Sequence, residues 1–299
     1  MAGIMNLDQM SYEERLLIGL EALLRRAALV NGPFALKGSL LTRQYLADRS
    51  VRDADDIDFL CLETIRDENE ARRMFTDWMI EVTEMDLNDG VQFRSFRENE
   101  FWRCIDYAMA DDFPTVNTDL AYRFYRTSTS ESMYADEMYL DISFNLPLEN
   151  EPVPLTYQPS VGEVFVVPHT VPLSTQVAWK LHQTIVRPRF KDLYDLTFLL
   201  AHPSYDEQAL RGTLQTLVNE CAMDPSITSE AIRKVLVDDL HDLYPQMERD
   251  YDLRDYAGER VPAVYFAEVA AGLRNMMNQR GFTEQAYEQR PGPTTNSSK

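Results

Sequence analysis

A chain of 299 residues, 44% of them hydrophobic, is long enough for one large domain or two ordinary ones and has a globular composition. Its formal net charge of −20 repels polyanions at long range, so a generic nucleic-acid-binding protein is not expected. Clusters of acidic side chains favour the binding of a divalent cation. The three cysteines and four histidines show neither disulfide nor metal-ligand spacing. No apolar run reaches the length of a membrane span, and the N-terminus lacks a signal-peptide layout, so we expect a cytoplasmic protein.

The first predicted elements are a helix, a short strand and a second helix. Apolar residues recur at helical spacing over 12–30, and Asn-Gly-Pro follows them. A strand is expected over 34–36, and Gly38 and Ser39 then begin a helix that ends at Ala47. A glycine at such a turn allows close approach of the backbone, and a serine there caps the helix or donates to a phosphate. A plain helix start is the alternative interpretation.

Two aspartates lie two residues apart in the next predicted strand, which covers 55–62. Successive side chains of a strand alternate between faces, so Asp56 and Asp58 share one face, roughly 7 Å apart, while Ile57 and Phe59 point into the core. Neighbouring carboxylates repel each other, and a divalent cation removes that cost. The pattern predicts a site for Mg²⁺ or Mn²⁺ of the kind used in nucleotidyl transfer. The alternative is a solvated acidic loop.

A helix over 67–85 precedes a β-rich region that extends to residue 145. Aromatic and β-branched residues are concentrated in runs at 91–96, 101–109, 120–128 and 138–144. In the last run Asp141 faces away from the apolar positions. If this strand pairs beside the strand of Asp56 and Asp58, Asp141 becomes a third carboxylate, either a metal ligand or the general base for an acceptor hydroxyl. Otherwise it is an exposed strand aspartate.

The remainder of the sequence predicts a change of fold class along the chain. Residues 1–145 form the expected α/β core with a mixed sheet. A proline-rich connector, 146–173, includes a last strand at 163–167. Helices are expected over 174–286, and the polar tail 287–299 has the composition of a disordered segment.

A polar cluster lies in the helical half. Lys180 can contact a triphosphate as a point charge, and Asp192 and Asp195 are three residues apart, on one face of the next helix. The alternative makes Lys180 a surface residue and Asp192 an ion-pair partner of Arg187 or Arg189.

The order of these motifs resembles a known family. A Gly-Ser turn, an Asp-Ile-Asp strand, a Leu-Asp-Ile strand and a lysine followed by Lys-Asp-Leu-Tyr-Asp-Leu, together spanning 37–196, resemble the AbiEii/AbiGii toxins, which include the MenT toxins. The resemblance implies an α+β fold, in which a DNA polymerase β-like nucleotidyltransferase core with a mixed sheet is followed by a helical C-terminal domain. Members of the family are toxins of bacterial type IV-like toxin–antitoxin or abortive-infection systems.

The resemblance also implies an activity and its partners. Characterised members transfer NMP from an NTP with Mg²⁺ and release pyrophosphate, some of them to the 3′ end of tRNA, and a cognate antitoxin is the expected protein partner. Carried over by position, the site comprises Gly38 and Ser39 at the phosphate turn, Asp56 and Asp58 as metal ligands, Lys180 at the triphosphate, Asp192 as the acid of the last motif, Asp195 in support of nucleotide binding, and Asp141 on the middle strand.

Two other functions are compatible with the same motifs. One is a small-molecule nucleotidyltransferase of the antibiotic-modifying type, and the other is a non-catalytic, partner-binding module of the same fold. A tRNA acceptor would need basic residues near the site. The candidates are Arg43, Arg49, Arg52, Arg94, Arg97, Arg103, Arg123, Arg126, Arg187, Arg189 and Lys191.

Overall fold

The computed structural model describes residues 10–105, 114–125 and 136–292. The chain divides into two compact units, Met1–Val171 and Pro172–Lys299. Some predictions lie outside the described residues, namely parts of two β runs at 106–109 and 126–128, the basic candidate Arg126 and the end of the tail at 293–299.

The first unit is built on one mixed sheet of eight strands in the order β3-β5-β6-β2-β1-β8-β7, with β4 also paired to β5. The strands are β1 (Phe34–Lys37), β2 (Asp56–Cys61), β3 (Val91–Phe93), β4 (Arg103–Ile105), β5 (Thr115–Phe124), β6 (Asp136–Ser143), β7 (Val153–Tyr157) and β8 (Phe165–Thr170). Its helices are α1 (Tyr12–Val30), α2 (Gly38–Arg43) and α3 (Glu68–Glu84). Strand β2 pairs parallel to β6 and antiparallel to β1.

One face of this sheet is apolar and is covered by α1 and α3. Trp78 of α3 stacks on Phe34 at 4.0 Å between ring centroids and meets Phe59 edge-on at 5.1 Å. Gly19 of α1 lies so close to the sheet that a Cβ there would come within 2.7 Å of the Tyr122 ring. Because Phe59 points into this core, the alternating residues Asp56 and Asp58 point to the opposite face, as the sequence predicts.

The second unit is helical, as expected. Its helices are α4 (Leu173–Val186), α5 (Phe190–Ala201), α6 (Glu207–Met223), α7 (Ser229–Leu236), α8 (Tyr244–Met247), α9 (Tyr251–Ala257), α10 (Pro262–Arg280) and α11 (Glu284–Glu288). Phe190 is fully buried and packs against aromatic rings of α9 and α10. In the part of the chain that the structure describes, no helix is both long and apolar enough to cross a bilayer.

The structure differs from the prediction in the connector and in the helix after β1. The connector contains strand β7, which the prolines concealed; Pro154 is tolerated because β7 is an edge strand, where a missing N–H costs little. Strand β8 lies over 165–170 rather than 163–167. Helix α2 ends at Arg43 instead of Ala47, since the chain continues as turns.

Candidate active site

A row of polar side chains crosses the face of the sheet opposite the apolar core. The strand register places Lys37 opposite Asp58, Asp58 opposite Asp141, Asp141 opposite Asn117, and Asn117 opposite Arg103. Residues directly opposite each other on neighbouring strands project to the same face. Strand β6 therefore pairs beside β2, which was the condition for Asp141 to be a third carboxylate, and this pairing brings Asp141 beside Asp58.

Three carboxylates converge at this row. Asp56, Asp58 and Asp141 each offer one oxygen, and these oxygens lie within 4.8 Å of one another. Asp56 and Asp58 are half-buried, and Asp141 is only 5% exposed, so the interpretation of Asp141 as an exposed strand residue is wrong. Like charges this close repel, and oxygen ligands are those that hard divalent cations prefer. The donor set therefore fits Mg²⁺ or Mn²⁺.

The turn between β1 and α2 is built around Asp58. Gly38 has φ +72°, and a Cβ at this position would lie 1.8 Å from Asp58 Oδ2. The Nζ of Lys37 lies 3.2 Å from Asp58 Oδ1. Ser39 is 9% exposed, and its hydroxyl has no hydrogen-bond partner within the described ranges. Because a buried hydroxyl is normally satisfied, Ser39 is a candidate donor to a ligand at this turn.

Replacing Gly38 with alanine is expected to reduce activity by about 10²-fold or more, since the new methyl group must displace a carboxylate of the site by an ångström or so. The left-handed backbone adds about 1–2 kcal/mol of strain. Gly90→Ala is the matched control: φ there is +88°, and nothing lies within 4 Å of the added Cβ. Urea unfolding should show similar destabilisation of both variants, and transfer assays should show a loss for Gly38→Ala alone. Equal activity in both would contradict the steric argument.

Asn117 connects Asp141 to an arginine. Its side-chain N–H donates to Asp141 Oδ1, and its own carbonyl oxygen accepts from Arg103, which also pairs with Asp119. Arg103 was among the basic candidates for acceptor binding, whereas Asn117 and Lys37 were not predicted. Lys37 could have been found, because alternation along β1 places it on the same face as Asp58. Asn117 becomes visible only once the register of β5 with β6 is known.

The second unit contains the predicted cluster of Lys180, Asp192 and Asp195. The Lys180 Nζ lies 2.7 Å from Asp195 Oδ2 and 3.3 Å from Asp192 Oδ1, and both carboxylates are buried. Arg189 Nε donates to Asp192 Oδ2 at 2.7 Å, so Arg189 rather than Arg187 is its partner. The surface interpretation of Lys180 is wrong, because its side chain is 15% exposed. The roles of these residues in nucleotide binding stay predictions.

Burial raises the pKa of the Asp192 carboxyl, but the charges of Lys180 and Arg189 outweigh it and hold that pKa below its ordinary value. An aspartate with a depressed folded-state pKa stabilises the protein above the unfolded value, about 3.9, and this contribution is lost as the pH falls through the folded pKa. Asp192→Asn should therefore be less stable than wild type at neutral pH, by a margin that shrinks below about pH 4.

Urea unfolding across this pH range checks the expectation, with exposed Asp255→Asn as the control for the loss of one charge. If the difference in free energy of unfolding between wild type and Asp192→Asn stayed constant on acidification, the charge of Asp192 would not be what stabilises the cluster.

Two solved protein structures are similar to this chain. MenT4, a nucleotidyltransferase toxin from Mycobacterium tuberculosis H37Rv, is 14% identical with a TM-score of 0.53, over 93% of this chain and 90% of that chain. JHP933 from Helicobacter pylori is 17% identical with a TM-score of 0.42, over 88% of this chain and 94% of that chain. No curated protein matches the chain.

The likeness to MenT4 confirms the predicted fold class, a mixed-sheet nucleotidyltransferase core followed by helices. The family described as nucleotidyl transferase AbiEii toxin, type IV toxin–antitoxin system, matches residues 22–265. Since this match covers most of the chain and includes the Gly-Ser turn, all three carboxylates and the Lys180 cluster, the protein belongs to the AbiEii nucleotidyltransferase toxin family, as its sequence motifs led us to expect.

Proposed function

We propose that this toxin-family nucleotidyltransferase transfers an NMP group from an NTP to an acceptor hydroxyl, depends on Mg²⁺ or Mn²⁺, and releases pyrophosphate. The convergence of Asp56, Asp58 and Asp141 within 4.8 Å, beside the Gly38-Ser39 turn, carries the proposal. Asp56 and Asp58 would hold the metal, which when bound supplies a Lewis acid for the phosphate oxygens, and Asp141 lies beside them.

The turn after β1 serves the phosphates of the donor. The buried Ser39 hydroxyl, which has no partner in the described parts of the chain, donates to a phosphate oxygen. Gly38 keeps the space beside Asp58 clear of a side chain. The Lys37 ammonium, already beside Asp58, adds positive charge at the same edge of the site. Lys180 stays the predicted triphosphate contact, with Asp192 and Asp195 fixing its ammonium group.

Asp141 is the proposed general base. The acceptor oxygen forms a bond to the α-phosphorus, the bond from that phosphorus to the bridging oxygen breaks, and pyrophosphate leaves with the bonding electrons. The proton of the acceptor hydroxyl passes to Asp141. Asn117 orients this carboxylate by its hydrogen bond, and Arg103 in turn orients Asn117.

The 3′ end of tRNA is the acceptor that we propose, and membership of a type IV toxin–antitoxin family implies a cognate antitoxin. The test supplies each α-labelled NTP and Mg²⁺ with total tRNA, with lysate protein or with an aminoglycoside. Label on tRNA is the expected result. Label on protein or on the aminoglycoside would keep the chemistry and replace the acceptor.

Absence of label from every acceptor, with several metals, would favour the non-catalytic binding module. In that case Mg²⁺ and NTP should also leave the melting temperature unchanged. A nucleotide that binds the native state alone stabilises it by about 2.7 kcal/mol at a hundredfold excess over its Kd, so a true NTP site produces a measurable rise.

A further inference from the structure

We propose that Tyr139 forms a stacking platform for a ring at the reacting end of the acceptor. The inference rests on the proposed function and deepens it by assigning a part of the site to acceptor recognition. Tyr139 lies on β6, two residues before Asp141, and is 51% exposed. It lies directly opposite Asp56 of β2 on one side and Asp119 of β5 on the other. Its side chain therefore projects from the same face as the three carboxylates.

The surroundings of Tyr139 make its exposure informative. The residues on either side of Tyr139 in the same strand, Met138 and Leu140, are buried on the opposite face. Among the described residues, the side chain of Tyr139 makes no ring contact and no hydrogen bond, although its backbone is paired within the sheet. Its two cross-strand neighbours are acids, which offer nothing for the face of the ring to pack on. An aromatic ring in this setting suits a planar partner that comes from outside the protein.

The order of strands assigns that partner to the acceptor rather than to the NTP. Reading across the sheet, the phosphate turn follows β1, the paired carboxylates lie on β2, and the proposed general base lies on β6. Tyr139 is thus on the far side of Asp56 and Asp58 from Ser39, on the strand that carries the base for the acceptor hydroxyl. The partly exposed Arg103 and the exposed Phe101 lie farther along the same side, with the guanidinium 5.4 Å from the ring centroid.

Stacking also reconciles a nucleotide acceptor with an acidic protein. A chain with net charge −20 gains little from long-range attraction to phosphates, whereas stacking on an aromatic ring does not require positive charge. The contribution of Tyr139 to binding is accordingly expected to be nearly independent of salt concentration. A contribution through the phosphate backbone would weaken steeply as salt is raised.

The experiment measures binding and turnover separately with Tyr139→Ala and Tyr139→Phe. The probe is a short fluorescent single-stranded RNA, bound in the presence of Mg²⁺ without NTP, together with the same RNA lacking its 3′-terminal base. Tyr139→Ala should weaken binding of the intact RNA by about 5- to 100-fold, the loss expected for one base stack, and Tyr139→Phe should keep wild-type affinity. Wild type should bind the RNA that lacks its terminal base as weakly as Tyr139→Ala binds the intact RNA. Tyr139→Ala itself should bind the two RNAs with nearly the same affinity.

Tyr12→Ala is the matched control, since Tyr12 is 52% exposed on α1, on the other face of the sheet. In turnover assays Tyr139→Ala should raise the KM for the acceptor and leave the KM for NTP unchanged. Equal RNA binding by wild type and Tyr139→Ala would overturn the inference, as would a rise confined to the KM for NTP. Failure of wild type to transfer label in any assay would instead overturn the proposed function, while the binding comparison would still decide the role of Tyr139.

Discussion

The Asp58→Asn variant is expected to lose nucleotidyl transfer by about 10³-fold or more while keeping its fold. Asparagine removes one of the two negative charges that would hold the cation, and the metal contributes several kcal/mol to transition-state stabilisation in sites of this kind. Within the described residues Asp58 forms one ion pair, with Lys37, and both side chains are partly exposed, so its loss should change the free energy of unfolding by about 1 kcal/mol or less.

Transfer of α-labelled NMP measures the first effect, and urea unfolding measures the second. Asp77→Asn, an exposed aspartate on α3, controls for the removal of one negative charge from the same unit. If Asp58→Asn retained the transfer rate of Asp77→Asn, the assignment of the metal site to this row of carboxylates would be wrong.

Lys180→Met is expected to cause the largest loss of stability, about 3–5 kcal/mol. The substitution removes the ammonium group that lies 2.7 Å from Asp195 and 3.3 Å from Asp192, and both carboxylates are buried. Arg189 still compensates Asp192, whereas Asp195, which is 0% exposed, loses the ammonium group at 2.7 Å. Urea unfolding at neutral pH measures the change, with Lys234→Met as a control at a half-buried lysine on α7.

A double variant separates loss of the ion pair from loss of packing. Lys180→Met combined with Asp195→Asn should be more stable than Lys180→Met alone, because the buried charge left by the first substitution is removed by the second. If the destabilisation of the double variant equalled the sum for Lys180→Met and Asp195→Asn, the two side chains would not be coupled by their charges. A cost of under about 1 kcal/mol for Lys180→Met would likewise contradict a role for charge pairing in the stability of the cluster.

The parts of the site that follow from local periodicity were predictable from the sequence. Alternation along β2 places Asp56 and Asp58 on one face and Phe59 in the core, and the structure confirms this arrangement. Helical spacing likewise places Asp192 and Asp195 on one face of α5. In each case the geometry depends on residues two or three positions apart, so no knowledge of distant contacts is needed.

Features that depend on strand register were not predictable. Asp141 reaches Asp58 only because β6 pairs parallel to β2, and Asn117 reaches Asp141 only because β5 pairs antiparallel to β6 in one particular register. A shift of one residue in either pairing would turn these side chains to the apolar face. Strand β7 was missed for a different reason: Pro154 argues against a central strand, and the sequence does not reveal that β7 lies at an edge.

The central claim, nucleotidyl transfer at the three carboxylates, is tested most directly by comparing α- and γ-labelled NTP in one assay with tRNA. Wild type with Mg²⁺ should place the α-label on the acceptor and release the γ-label as pyrophosphate, and both signals should vanish with EDTA or with Asp58→Asn. Transfer of the γ-label to the acceptor would identify a phosphoryl transferase instead. Transfer that survived EDTA and Asp58→Asn would contradict the metal site at Asp56 and Asp58.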